Sequence, residues 1–296
     1  MREKGRVRGD MKTEQQINKR KGINWVTVIA MIIFHALAVA ALFFFSWTNL
    51  LVTLVLLWVG GSLGIGIGYH RLLTHRGFKT SKPIEYFLTL CGALALESGP
   101  IQWISTHRIH HAFTETPDDP HTPREGLWWA HIGWIFVGTA QHHDEMTLKR
   151  YVPDLLKDRF HVWLSDWYFM PTIVVGLALL AIGGLPMVLW GVFLRITIGL
   201  HVTWLVNSAT HLWGRRRFET RDDSTNNFVV GILAFGEGWH NNHHAHPTSA
   251  RHGLAWYEID MNWYLIRALE ALGLVTNVKA VQIEEEREVK ALRKAA

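Results

Sequence analysis

Cysteine is nearly absent. Cys91 is the only one among 296 residues, which excludes internal disulfides and any zinc finger or iron–sulfur cluster built on cysteine. Charge is scarce where it would break a hydrophobic run. Ile23 to Phe45 and Leu50 to Tyr69 contain no Asp, Glu, Lys or Arg. At about 1.5 Å rise per residue each is long enough for a hydrocarbon core of about 30 Å, and the first is too long for the apolar part of a signal peptide. The short turns at 46–49 and 183–186 lack Lys and Arg altogether. There is no internal repeat or low-complexity domain, and no oxygen-rich loop of the calcium or magnesium type.

What is present sits in blocks. The net charge of +5 owes much to Arg2, Lys4, Arg6, Arg8, Lys12, Lys19, Arg20 and Lys21. Basic residues beside an apolar run fit a membrane flank better than a nucleic-acid surface. The 15 tryptophans suit a protein with an interfacial aromatic belt. The runs predict an all-α integral membrane protein with about four transmembrane helices, near 23–45, 50–69, 167–182 and 187–205, the last interrupted by Arg195 and His201. Charges inside a span are costly and lie near an end or serve a function. The apolar pieces at 86–95 and 127–137 are too short to cross and read as interfacial or re-entrant. Gly60, Gly61, Gly64, Gly66 and Gly68 in the second run predict close helix packing. The chain divides into a basic segment 1–22, a membrane domain 23–275 and a charged tail 276–296, in which Glu284 to Lys294 reads as a solvated helix. Lys and Arg bias puts the N-terminus, the middle block and the C-terminal block on the cytoplasmic side. Four crossings return the chain to that side, leaving a helical cap there.

The 18 histidines are the most informative count. Nine fall into clusters: His70 and His75; His107, His110 and His111; His211; and His240, His243 and His244. Every cluster lies on the side assigned from charge alone. Imidazole ligates iron, copper, zinc and nickel. The i, i+3, i+4 spacing of the second and fourth clusters places the rings on one helix face. The i, i+5 pair His70/His75 is predicted to straddle a helix end. Nine imidazoles are too many for one ion and suit two. Catalytic zinc needs about three protein ligands. Soluble di-iron bundles use paired glutamates with two Glu-x-x-His motifs, whereas this chain offers one such spacing, Glu237 to His240. Iron is favoured on chemical grounds, because an all-imidazole shell leaves two irons highly charged and oxidising.

The motifs resemble those of membrane fatty acid desaturases of the stearoyl (Δ9) type: Gly-Tyr-His-Arg-Leu-Leu-Thr-His-Arg at 68–76, His-Arg-Ile-His-His at 107–111 followed by Glu115 and Asp119-Pro120-His121, Asn-Ser-Ala-Thr-His-Leu-Trp-Gly at 207–214, and Gly-Glu-Gly-Trp-His-Asn-Asn-His-His at 236–244. The resemblance implies a di-iron centre held by His70, His75, His107, His110, His111, His211, His240, His243 and His244. It places Asn207 beside the metal through water, and Trp103, Thr203, Trp204 and Glu97 at the bend of an acyl tunnel. It implies that O2 and two electrons convert a long-chain saturated acyl group to a cis alkene with release of two waters. The electrons come from a separate donor, ferredoxin or cytochrome b5 with its reductase. Two departures bear on the carrier. Ser105-Thr106 stand where acyl-CoA enzymes of animals carry a charged pair, and Glu97 stands where an amide is common; among CoA, lipid and carrier-protein esters, both weigh against CoA and leave the other two open.

Outside the motifs, His35, His131, His142, His143, His161, His201, His246 and His252 read as structural, and His121 as a loop residue or one behind the metal ligands. Arg195 reads either as lining a polar face or as snorkelling. The competing functions are a membrane hydroxylase or ketolase with the same boxes, a bis-histidine haem subunit, and a metal transporter. The last two want ligands between spans or at the midplane, where this chain offers few.

Overall fold

The computed structural model describes residues 22–138 and 143–281; the basic segment before Gly22, His142 and the Glu284–Lys294 run lie outside them. Asn24 opens the first helix by accepting from the Thr27 amide at 3.2 Å. That helix, α1 (Trp25–Ala41), tightens into a last turn, Leu42–Phe44. Ser46 caps α2 (Trp47–Leu57) by accepting from the Asn49 amide at 3.0 Å. The winding then continues without a break as a wider, i→i+5 bonded helix, Trp58–Thr74. The second apolar helix therefore runs from Trp47 to Thr74, beyond the expected 50–69 at both ends. Its start moves back because Ser46 supplies the cap. Its end moves forward because His70 and Arg71 find buried partners and need no exit to water.

Helix α3 (Lys82–Ala93) corresponds to the short apolar piece at 86–95 and lies directly on the glycine-rich stretch. A Cβ at Gly64 would strike the backbone of Cys91 and Gly92, and one at Gly68 would lie 2.8 Å from the Leu88 carbonyl oxygen. The glycines thus bring two backbones together, as their spacing predicted. Gly99 and Pro100 start α4 (Pro100–Phe113), with proline in the first turn where its missing N–H costs nothing. A wide turn, Trp129–Gly133, and α5 (Trp134–Phe136) make up the second short apolar piece. Asp144 and Asp158 cap α6 (Glu145–Tyr151) and α7 (Arg159–Asp166).

The remaining apolar stretch, Met170–His211, counts 42 residues. Straight, it would reach about 63 Å, twice a bilayer core. It is not straight: Gly184, at φ 67° and ψ −165°, is non-helical, and Pro186 restarts the winding. Leu179 packs on Gly191 and Gly176 faces Val192, so the chain doubles back at the turn expected at 183–186. The arms are α8 (Met170–Val188), the wide segment Leu189–Leu194, and α9 (Arg195–Ser208), which tightens at Ala209–His211. Among the described residues, three helices are thus long and apolar enough to cross a membrane. Val26, Phe43, Leu51, Leu177 and Ile182 are exposed along them, as expected of side chains that face lipid.

Beyond α9 come α10 (Phe228–Leu233), α11 (His240–Ala245) and α12 (Met261–Ala271). The all-α expectation needs one addition. β1 (Lys79–Thr80) pairs antiparallel with β2 (Val275–Thr276), and the Lys279 amide donates to the Gly77 carbonyl at 2.8 Å. Residues 276–281, expected as the start of a charged tail, are therefore tied to the turn after the first histidine box. Arg195 does not snorkel. It is 2% exposed and donates to the Gly191 and Leu94 carbonyls, satisfying helix carbonyls left open by the wide winding and by the end of α3.

Candidate metal centre

The wide winding of the second helix decides the first pair. An α-helix would splay residues five apart by about 140°. In the i→i+5 form they lie one hydrogen-bonded turn apart. The His75 amide donates to the His70 carbonyl at 3.1 Å, and the two rings stand 4.8 Å apart. On α4, His107 and His111 share one flank, with Nε2 atoms 3.1 Å apart, while His110 points to the other flank. On α11 the division is reversed: His240 and His244 share a flank and His243 faces away from them. Two short helices lying between two sites thus supply both. One group is His70, His75, His107, His111 and His243; the other is His110, His211, His240 and His244, with His211 from the last turn of the α9 arm. Within each group the candidate ligand atoms all lie within 4.8 Å of one another.

Behind the imidazoles stand carboxylates. Nδ1 of His70 meets Glu237 Oε2 at 2.5 Å, and Nδ1 of His110 meets Asp119 Oδ1 at 3.0 Å. Nδ1 of His211 meets Glu115 Oε1 at 3.1 Å, and Nδ1 of His244 meets Asp222 Oδ2 at 3.0 Å. A carboxylate only accepts, so each Nδ1 carries the hydrogen, and in the neutral ring this puts the lone pair on Nε2, the form that binds a metal. Burial alone would raise these acids. The paired histidines hold Asp119 and Asp222 far below the usual carboxylate range, Arg71 and His70 do the same for Glu237, and His211 with Arg124 brings Glu115 to about 2. Glu237 is a hub: its Oε1 also accepts from Arg71 Nε at 3.1 Å, Arg71 Nη2 at 2.8 Å and Asn262 Nδ2 at 2.7 Å. Burial, reinforced by neighbouring imidazoles, pushes His75, His107, His111, His240 and His243 well below the ordinary imidazole value, and His244 to about 4. These rings are neutral at pH 7, as ligands must be.

The donors fit a metal better than they fit one another. The Nε2 atoms of His75, His110, His211, His240 and His244 are buried with no hydrogen-bond partner among the described residues, a cost of about 1–3 kcal/mol each if nothing else occupied the site. In the five-membered group, His111 Nε2 lies 3.1 Å from His107 Nε2 and 3.0 Å from His243 Nε2, which in turn lies 3.1 Å from His70 Nε2. Each such nitrogen has a single in-plane lone pair or hydrogen and cannot bond in line to two neighbours. The ring centroids are only 4.5–4.9 Å apart, so the nitrogens converge on a common point. Edges near 3.0 Å are what a cation subtends at right angles with bonds of about 2.1 Å.

Two cavities meet at this cage. One, of about 650 Å³, is lined by Met31, Glu97, Trp103, His107, Thr203, Trp204 and Asn207 among others. The second, of about 490 Å³, shares Trp103, His107, Thr203 and Asn207 with it and reaches His70 and His240. All four tunnel residues named from the sequence therefore bound one space beside the cage, and Asn207 faces both parts. Trp103 Nε1 donates to Glu97 Oε2 at 3.0 Å, and Thr203 Oγ1 donates to Glu97 Oε1 at 2.7 Å. Burial nevertheless raises the Glu97 carboxyl to about 7. At the pair expected to mark the carrier, Ser105 Oγ donates to the Gln102 carbonyl and Thr106 contacts His143 Nε2 at 2.7 Å.

Sequence reading set His252 apart from the clusters, yet its ring lies 4.5 Å from His243 and its Nδ1 lies 3.4 Å from Glu237 Oε2. His121 lies against His110 at 4.3 Å with Asp119 beside it. Glu115, Asp119 and Glu237 stood inside the quoted motifs but had no assigned task, and Asp222 had no signal at all. Nothing in the spacing says which acid will reach which ring.

The comparisons with known proteins agree with this architecture. The fatty acid desaturase family profile matches residues 45–278. The chain is 48% identical to an sn-1 stearoyl-lipid 9-desaturase of Anabaena variabilis, over 87% of this chain and 94% of the relative. It is 47% identical to an sn-2 palmitoyl-lipid 9-desaturase of a Nostoc strain, over 86% and 90%. It is 44% identical to an icosanoyl-CoA 5-desaturase of Limnanthes douglasii, over 89% and 74%. With clustered imidazoles able to hold metal, long apolar helices and this degree of identity, the chain belongs to the fatty acid desaturase family and is an oxidoreductase acting on fatty acyl groups.

Proposed function

We propose that the chain is an O2-dependent acyl-lipid 9-desaturase with two irons, one in each imidazole group. The observation that carries this reading is the division of nine imidazoles into five and four, with carboxylates holding the Nδ1–H of four of them, beside a bent cavity. The chemistry two bound irons would supply there is activation of O2 for removal of hydrogen from adjacent CH2 groups. In balance, the saturated acyl chain, O2, two electrons and two protons give the cis alkene and two waters. The protein's own part is orientation. His70, His75, His107, His111 and His243 hold one metal, and His110, His211, His240 and His244 the other. Glu237, Asp119, Glu115 and Asp222 aim the rings, and Asn207 reaches the metal side through water. Trp103, Thr203, Trp204 and Glu97 bend the acyl chain so that one C–C bond lies at the cage.

The carrier is a glycerolipid. The relatives quoted first are named for lipid substrates, and the position of the animal charged pair holds Ser105 and Thr106, which turn to neighbouring groups. Four spans, counting the arms on either side of Gly184, together with the Lys and Arg bias of the flanking segments, support a cage on the cytoplasmic side. A separate donor, ferredoxin or cytochrome b5 with its reductase, docks there. Lipid analysis of a host lacking its own 9-desaturase tests the reading. Expression should give 9-monoenoic chains esterified to glycerolipid before any appear in the CoA pool. A hydroxylated product, or a monoene formed first on CoA, would overturn it.

A further inference from the structure

Three histidines outside the cage form an arrangement of a different kind. His35 of α1 and His201 of α9 face each other through Nε2 atoms 3.0 Å apart, and His201 Nδ1 faces His131 Nε2 at 3.0 Å. Both pairs have ring centroids 5.2 Å apart, against 4.5–4.9 Å at similar nitrogen separations in the cage. The nitrogens therefore point at one another along the line of centres, as in N–H···N bonds, and do not converge. His201 uses a different nitrogen on each side, which rules out a shared ion. The line continues at both ends: His35 Nδ1 meets the Met31 carbonyl at 2.7 Å, His131 Nδ1 meets Ser208 Oγ at 3.0 Å, and Ser208 Oγ donates to the Trp204 carbonyl at 2.7 Å.

Both ends are carbonyls, which only accept. Five contacts join them and each needs one hydrogen. Three neutral imidazoles and one hydroxyl supply four. The line as observed closes only with one further proton. We propose that His35, His201 and His131 share a single excess proton, and that this loaded line is a brace positioning the wall of the acyl cavity. Met31 and Trp204, whose carbonyls terminate it, both line that cavity. His201 and His131 stand edge-on to the Trp204 ring at 5.2 and 5.8 Å, where a cationic imidazole gains from the indole face. Without the extra proton one of the five contacts must open. Because Ser208 has one hydrogen for two acceptors, the natural place is beside Trp204.

Few other charges bear on the line. Within α1, α2, Leu189–Leu194 and α10 there is no Asp, Glu, Lys or Arg. Arg195 is turned to carbonyls, Glu97 is held by Thr203 and Trp103, and His121 lies tilted against Trp134. His70 and Arg71 of the second helix are committed to Glu237. Burial by itself lowers the His131 imidazole, so loading falls on the acid side of neutrality, with the chain of bonds acting against burial.

The inference rests on the proposed acyl cavity for its function but not for its proton count. Its test is nitrogen-15 NMR of histidine-labelled full-length protein in lipid nanodiscs, iron-loaded or not, from pH 8 to pH 5. With signals assigned to these three rings by their loss in single His→Gln variants, one equivalent of imidazolium shared among His35, His201 and His131 should appear over that range in the parent. It should persist in His201→Gln, which can still accept from His131 and donate to His35. It should vanish in His35→Ala, where three contacts remain for three hydrogens. No imidazolium in the parent, its loss in His201→Gln, or its survival in His35→Ala overturns the proton count. The ratio of kcat/KM for two acyl lengths should change at least threefold over the same pH range in the parent and stay flat in His35→Ala. A flat parent ratio overturns the positioning role while leaving the desaturase reading intact.

Discussion

Glu237→Gln tests whether carboxylates set the ligand tautomers. Glu237 presents one oxygen to Arg71 and Asn262 and the other to His70 Nδ1. In the amide, two Arg71 donors and one Asn262 donor fix the oxygen on their side, which leaves the NH2 facing His70. Two donors cannot meet at 2.5 Å, so His70 must move its hydrogen to Nε2 and can no longer ligate. The loss of a charge-assisted bond at a buried ring is about 1.5–3 kcal/mol, and substitutions behind metal ligands typically cost 10–100-fold in affinity. The control is Asp260→Asn. Asp260 also serves Arg71, with Oδ1 at 2.9 Å from Nη2, but it is not paired with any of the nine. Both variants weaken the buried Arg71 cluster, and each should lose roughly 3 kcal/mol or more of stability. Only Glu237→Gln should lose metal. Iron per chain, measured by elemental analysis on folded, size-selected protein, should fall by about half in Glu237→Gln and stay at the parent level in Asp260→Asn. Equal iron in the two variants would refute the tautomer argument.

Further outcomes follow from packing and titration. Gly64→Ala places a methyl group into the α3 backbone and should cost about 1–3 kcal/mol, read as a lowered unfolding midpoint in detergent, whereas Gly22→Ala, which meets no neighbour among the described residues, should not move it. Glu97 has its folded value raised from 4.5 to about 7. A raised acid gives stability that is fully present below about 4.5 and lost as pH rises through about 7. At 1.36 kcal/mol per unit this is up to about 3 kcal/mol, and partial contact with the cavity reduces it to about 1–2. The stability difference between Glu97→Gln and the parent should therefore grow in favour of the variant from pH 5 to pH 8, and a pH-independent difference would contradict it. Asp222→Asn, acting on His244, should lower iron content and product together, while Asp223→Asn, whose carboxylate pairs among the described residues with Arg124 and Arg216, should spare both.

The linear order of residues already held the long uncharged runs, the reversal at Gly183–Pro186, the use of glycine where the wide helix Trp58–Thr74 meets α3, and the nine imidazoles. These are local properties: hydropathy over some twenty positions, a missing Cβ, a donor type at helical spacing. Tertiary structure decided what depends on contacts between distant segments. Winding pitch, not spacing, put His70 over His75, and it was the i→i+5 register of Trp58–Thr74 that a reading at α-helical pitch placed at a helix end. Which four acids would stand behind which rings, as Asp222 behind His244, required the fold to bring residues 22 apart into contact. The same is true of His252, and of His35 and His201, 166 positions apart. Composition records that an imidazole is present, but whether its nitrogen points at a metal, a carbonyl or another imidazole is set by the direction of a lone pair, which only packed neighbours can fix.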